Sequence, residues 1–469
     1  MRASTAGRAG SVRRFSAGAV TGPPNESFAC AYFPVFSRGG WADSLVATTH
    51  EEAGPELPRT RWRLVGPGLV VAATGVGAGD LVATTVAGQR YGYTLVWAAV
   101  LGCLIKISLA EATGRWHLAT GTTIFDGWRS IGRWPVGYFG VYIVVWGFVY
   151  GATAMSASGL PLVALFPDGP SLRTWGILCG LLGLVSVWFN RYAVVEKLMM
   201  GLVGTMFVIV VGVAIRVTPD LGGLGAGLWP TLPHGSVLYT LGLVGGVGGT
   251  ITLASYGYWV TAKGWRGPSW IPMMRVDNRV AYATTGVFVL AMLIVGAELL
   301  HATDVALNSG DKGLVDVGDV LSDRFGTATA DLFLVGFFAA SFSSVIGVWH
   351  GVSLLFADFV SRLRPGSVPV GENGEPQAER SWPFRAYLLW LTFPPMPLLW
   401  LDQPVGLIIT YGVLGALFMP FLALTLLWLL NTDRVPRSWR NGLFTNVVLF
   451  GSGVMFLVLC VRQIQDLPW

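Results

Sequence analysis

The chain has 469 residues, of which 53% are hydrophobic and only 12% charged, and its mean hydropathy is +0.59. Soluble globular chains carry about 25% charged residues, so this composition leaves too little polar surface for a water-soluble particle and indicates an integral membrane protein. The net charge of +5 fits basic cytoplasmic loops and gives no case for a nucleic-acid partner.

Residues 1–60 are rich in Ser, Gly, Ala, Arg and Pro and hold no spanning stretch, so a disordered tail is expected there. Arg13 and Arg14 lack the apolar run that a twin-arginine signal needs. A start at Val46 would remove most of the tail. A single membrane domain is expected over 61–469. The cysteines Cys30, Cys103, Cys179 and Cys460 are scattered without a CxxC pair, which points to no disulfide framework and no thiolate metal cluster.

From Leu64 onward about eleven apolar segments follow, each near the roughly 20 residues that cross a bilayer as a helix. They are Leu64–Ala87, Tyr93–Thr113, Val136–Phe166, Leu172–Phe189, Val194–Val217, Val237–Thr261, Arg279–Leu300, Ala330–Leu363, Arg385–Leu401, Gly406–Leu430 and Asn441–Val461. Long continuous apolar runs exclude a β-barrel. With the N-terminus inside, the cytoplasmic gaps receive roughly 19 Lys and Arg against roughly 6 outside. The gap carrying Asp304, Asp311, Asp316, Asp319 and Asp323 then falls outside, as does the C-terminus. A multi-pass protein of the plasma membrane is expected.

Two segments are interrupted by glycine. The first holds TGVGAGD, Thr74 to Asp80, and the sixth holds VGGVGGTITLAS, Val244 to Ser255. Each glycine weakens a helix by about 1 kcal/mol relative to Ala. One such stretch alone is well explained by close helix packing. Breaks at matching positions of two five-helix halves instead point to a transporter's midplane site. Asp80 sits within the first break, and an intramembrane carboxylate costs about 2.5–3.5 kcal/mol on insertion scales, which argues for function.

The residues from Gly66 to Trp97, GPGLVVAATGVGAGDLVATTVAGQRYGYTLVW, resemble the first helix and following loop of the Nramp divalent-metal transporters. Further likenesses are RWHLATG (Arg115–Gly121), RYAVVEKLM (Arg191–Met199), SSVIGVWHG (Ser343–Gly351), LFMPF (Leu417–Phe421) and the TN pair of Thr445 and Asn446. The resemblance runs in order over most of Leu64 to Val461. It implies an all-α membrane protein of the LeuT-like fold, with inverted repeats over about 64–217 and about 237–430 and an eleventh helix over about 441–461.

The chain also departs from the family's pattern. Where the family carries Asp-Pro-Gly-Asn, the aligned residues are Gly77, Ala78, Gly79 and Asp80. Where it carries Ala-x-x-Met-Pro-His, they run from Gly249 to Ala254, so that Thr252 replaces the thioether and Ala254 the histidine. The third helix has no acid between Gly151 and Gly159, where the family keeps its proton path. The resemblance is to a divergent branch, akin to its magnesium-transporting relatives.

A site built from Asp80, the Thr252 hydroxyl and freed carbonyls near Gly77 and Gly249 would be all oxygen, which suits Mg²⁺, Ca²⁺ or Mn²⁺. Lys106, midway along the second segment, could pair with Asp80 or Glu111, or stand in for a bound cation. Glu111 and Arg115 are spaced as an i,i+4 ion pair. His350 could relay protons or be a hydrogen-bonded core residue. Asp358 and Glu298, near segment ends, read as solvated, and Arg191 with Glu196 as a loop clasp.

The expectation is a secondary transporter of a divalent metal, Mg²⁺ or Mn²⁺, without the usual proton coupling. The alternative is a LeuT-fold carrier of an amino-acid-like organic solute. No nucleophile–base set, nucleotide loop or HExxH motif suggests an enzyme, and no cofactor or obligate protein partner is expected besides the metal substrate and the bilayer.

Overall fold

The structure is a computed structural model that describes residues 66–465, apart from 76, 190–191, 247, 302–311, 371–376 and 402. The expected tail over 1–60 and Cys30 lie outside the described residues. Sixteen α-helices occur among the described residues, and no strand. In chain order they are α1 (Pro67–Gly75), α2 (Ala78–Tyr91), α3 (Val96–Thr120), α4 (Ile124–Ile131), α5 (Arg133–Leu165) and α6 (Leu172–Phe189). There follow α7 (Tyr192–Arg216), α8 (Leu221–Ala226), α9 (Val237–Gly246), α10 (Tyr256–Ala262) and α11 (Ile271–Val295). The last are α12 (Lys312–Phe325), α13 (Thr327–Leu363), α14 (Trp382–Thr392), α15 (Pro404–Leu429) and α16 (Leu443–Gln465).

Eight of the described helices are long and apolar enough to cross a membrane. Three further apolar segments are made in pieces: α1 with α2, α9 with α10, and α14 with the 3₁₀ turn Met396–Leu401. Each coincides with an expected span. The largest boundary error is in the seventh, where α11 begins at Ile271 and not near Arg279. The acidic gap is not a plain loop either, because it holds α12, whose Leu321 is buried.

Burial separates the centre of the bundle from its rim. The apolar stretch of α13 is 78% buried, whereas those of α6 and α7 are 33% and that of α16 28%. Exposed Val208, Ile215, Phe444 and Val447 on α7 and α16 are what a lipid-facing surface requires. The central α13 packs against α1, α5, α6, α7 and α14.

Small residues set how closely the backbones approach. On α5, a Cβ at Gly159 would meet the Gly176 amide nitrogen of α6 at 2.9 Å, and one at Gly176 would meet the Met155 carbonyl at 3.1 Å. The acid-free stretch of α5 is therefore a packing face, as small residues in membrane helices generally provide.

Ion pairs tie the helix ends that the charge count assigns to the cytoplasm. Glu111 pairs with Arg115 at 3.0 Å, as its spacing predicts, and also with Arg275 of α11 at 2.9 Å. Arg115 reaches on to the Trp439 carbonyl and to Asn441. Asp358 is not solvated as expected: it is 5% exposed and accepts from Arg362 and from the Tyr258 hydroxyl. Arg362 also holds Asp126, the third residue of α4 and part of its capping box; burial raises that carboxyl's pKa and Arg362 brings it only partly back down. Arg191 lies outside the described residues, and Glu196 pairs with Lys263 at 2.9 Å.

At the opposite end Glu298 is likewise engaged, accepting from the Tyr93 hydroxyl at 2.6 Å and the Asp220 amide at 3.1 Å. Burial and this hydrogen bond push the Tyr93 hydroxyl's pKa well up, so it stays a donor.

Candidate metal site at the paired helix breaks

The first break opens where α1 ends at Gly75 and α2 starts after Gly77. Leaving the helical ladder frees the Thr74 carbonyl, and the Ser344 hydroxyl of α13 donates to it at 2.7 Å. Ser344 is itself 2.6 Å from the Tyr150 hydroxyl of α5. Gly77 lies directly on Ser344, so that a Cβ built there would collide with the serine's Cβ and Oγ. Asp80 is the third residue of α2.

The second break has a backbone cause that only glycine meets cheaply. Gly248 and Gly249 take φ of +70° and +91°, a region disfavoured for residues with a Cβ. A side chain at 248 would also meet the Tyr282 ring, whose hydroxyl donates to the Gly248 carbonyl at 3.0 Å. The chain then passes through Thr250 into a 3₁₀ turn, Ile251–Ser255, before α10 resumes. Thr252 lies in that turn, 1% exposed, and its hydroxyl has no hydrogen-bond partner among the described residues. The hydroxyl therefore does not bond its own helix's carbonyl, the commonest use of a threonine in a membrane helix. The Thr250 hydroxyl is in the same condition.

The two breaks abut. The 3₁₀ turn packs against α1, α3 and α13, and α2 packs against α9. The fold thus brings Gly77, Gly249 and Thr252 into neighbouring elements, with Asp80 one turn into α2. Half-helix ends at a midplane break suit charged substrates, the N-terminus of α2 being the positive end and the C-terminus of α9 the negative one.

Lys106 is fully buried, and its ammonium donates to the Gly245 carbonyl at 2.9 Å and to the Gly249 carbonyl. It thus takes an oxygen that the sequence assigned to the ion. Its suggested partner Glu111 is engaged by Arg115 and Arg275. His350 pairs with Glu379, just before α14, at 3.1 Å, and stacks edge-on against Phe384. On α13 it lies six residues beyond Ser344, about 9 Å along the axis.

One functional-looking residue is absent from the sequence reading. Asp277 of α11 is fully buried and accepts from the Gly66 and Gly68 amides at 2.9 and 2.6 Å and from the Tyr256 hydroxyl at 3.0 Å. It caps the start of α1 and ties it to α10, so it holds both halves of the broken pair at one end. Among the described residues no group of three His, Cys, Asp or Glu could hold a metal.

Comparison with known proteins agrees with this architecture. A divalent metal cation transporter MntH of Deinococcus radiodurans is 27% identical over 318 residues, 65% of this chain and 71% of that protein. A Chromohalobacter salexigens protein of the same name is 29% identical over 312 residues, 61% of this chain and 68% of its own length. Among solved structures, a mutant of the Eremococcus coleocola manganese transporter superposes with a TM-score of 0.69 at 15% identity, over 87% of this chain and 88% of that one. MhsT in complex with L-phenylalanine superposes at 0.51 with 16% identity, over 84% and 97%. These two show the fold, that of the LeuT-like transporters. The family model described as natural resistance-associated macrophage protein-like matches residues 68–466, and this chain belongs to the Nramp family.

Proposed function

We propose that the chain is a secondary transporter that carries a divalent metal cation between the two helix breaks, prefers a hard ion such as Mg²⁺ or Mn²⁺, and runs without proton coupling. The observation that carries the choice of ion is the buried, unpartnered Thr252 hydroxyl at the break, where the family places a thioether. Hard hydroxyl, carbonyl and carboxylate oxygens suit ions that retain water. The manganese transporter fold and the MntH relatives support the metal itself. The lack of an acid between Gly151 and Gly159, and the use of that stretch in packing α6, support the absence of a proton path. The loop-charge asymmetry supports a plasma-membrane protein with a cytoplasmic N-terminus.

The test is uptake by purified protein in liposomes, comparing Mg²⁺, Mn²⁺ and Ca²⁺ under imposed pH gradients. Asp80→Ala should abolish saturable uptake while the protein remains monodisperse. Wild-type flux by that variant would remove Asp80 from the site.

A second reading, an organic-solute carrier, is favoured by one observation. The Lys106 ammonium at the sixth-segment break supplies the positive charge that a substrate carboxylate needs. Saturable uptake of L-amino acids with no metal flux in the same liposomes would establish it.

A further inference from the structure

We infer that Lys106 is a tethered cation. Its ammonium occupies the carbonyls of the sixth-segment break, and it must withdraw from them when the divalent ion binds. The inference rests on the metal reading above and adds what competes with the metal.

Position 106 is the eleventh residue of the 25-residue α3, so its side chain has no short route to an interface. Instead the helix is brought against the break. Gly102, four residues earlier on the same face, lies so near α9 that an added Cβ would meet the Val244 Cα at 3.1 Å. The lysine stem starts from that close approach and ends between the Gly245 and Gly249 carbonyls. Those oxygens are available because the chain leaves the helical ladder at Gly248 and Gly249. They also form the negative end of a half-helix, where a cation is favoured.

A carbonyl dipole serves an ammonium and a metal ion in the same way, through its oxygen. A divalent ion that takes the Gly249 oxygen therefore meets a positive charge already bonded there, and at such separations the repulsion is large in a buried site. One cation excludes the other. With the ammonium in place, the break of the empty carrier is satisfied and can change its facing without an ion. With the ion in place, the ammonium is displaced. Lys106 thus lowers metal affinity and supports the return of the empty carrier. A lysine acting only as a hydrogen-bond brace would do neither, because a neutral amide could replace it.

The experiment uses the full chain in liposomes with Mn²⁺ as the probe. It measures equilibrium binding, net uptake into metal-free vesicles, and exchange against luminal Mn²⁺. Lys106→Gln retains N–H donors without the charge, and Lys106→Arg retains the charge in a rigid fork that grips two carbonyls more firmly. Removing the repulsion should tighten Mn²⁺ binding by about tenfold in Lys106→Gln, and its ratio of net uptake to exchange should fall. Lys106→Arg should bind Mn²⁺ at least about threefold more weakly than wild type.

Unchanged affinity in Lys106→Gln overturns the inference, and tighter binding with an unchanged ratio overturns the role in carrier return. If Lys106→Gln yields no monodisperse protein, Lys106→Arg decides, since binding as tight as wild type or tighter overturns the competition. Wild-type protein that moves no divalent metal defeats the metal reading, and the tethered cation with it. Wild-type metal uptake that Lys106→Gln leaves unaltered defeats the tethered cation alone.

Discussion

At the scale of single residues, Thr252 and Gly77 carry the argument about the ion. A thioether contributes most to soft ions, so Thr252→Met should raise affinity for Mn²⁺ or Cd²⁺ relative to Mg²⁺ by about tenfold, or about 1.4 kcal/mol. Competition binding between Cd²⁺ and Mg²⁺ measures this, and an unaltered preference would mean that the hydroxyl never faces the ion. Gly77 shows why the family's carboxylate cannot simply be put back. Its Cβ would collide with Ser344, and overpacking of this kind costs about 1–3 kcal/mol. Gly77→Asp should therefore lower the thermal midpoint by several degrees, and a midpoint equal to that of the wild type would show that the collision is relieved by backbone movement. The identities at 77 and 252 were legible in the sequence through the family's motifs. The contact with Ser344 was not, because it joins positions 267 residues apart that no local pattern links.

At the scale of elements, glycine density located both breaks, and apolar length located every span. Boundaries failed where charges lie inside the bundle. Arg275, Asp277 and Arg279 lower the local hydropathy, so apolar length alone starts the seventh segment at Arg279, eight residues late, and leaves Asp277 out of it. The structure instead buries Asp277 as the cap of α1. The sequence did contain a signal, since the apolar residues Ile271 to Met274 precede the charges and continue the same helix. Asp277→Ala would leave the Gly66 and Gly68 amides buried without their acceptor, each costing about 1–3 kcal/mol. A thermal midpoint several degrees lower is expected, together with faster hydrogen exchange confined to α1 and its flanks. Exchange that rises evenly across the protein would show that the carboxylate braces the whole bundle and not this one helix. The same reasoning covers Asp358, which lies near a helix end but is held by Arg362 and Tyr258. Sequence distance from a helix end is a poor guide to burial where another helix packs across it.

At the scale of the whole molecule, the paired breaks point to a transporter's midplane site, and the LeuT-like fold is what the resemblance to the Nramp family implies. The tethering of the broken helices was not legible, because it depends on α3, α11 and α13 all closing around α1 and the 3₁₀ turn. Coupling belongs at this scale. With no acid on the inner stretch of α5, metal flux should leave the liposome lumen at its starting pH. A pH dye that reports acidification driven by metal, absent from empty liposomes, would refute this and direct attention to the His350–Glu379 pair.

On the uncoupled reading proposed above, the carboxylate-free face of α5 has an electrical consequence. A carrier that moves a divalent ion alone moves two elementary charges. Across about 100 mV, at about 2.3 kcal/mol per charge, the inside-negative potential contributes about 4.6 kcal/mol to uptake. At about 1.4 kcal/mol per factor of ten, that sustains an accumulation of about two-thousandfold. A potassium diffusion potential imposed with valinomycin at equal pH would then drive Mg²⁺ or Mn²⁺ inward, and reversing its sign would drive the ion out.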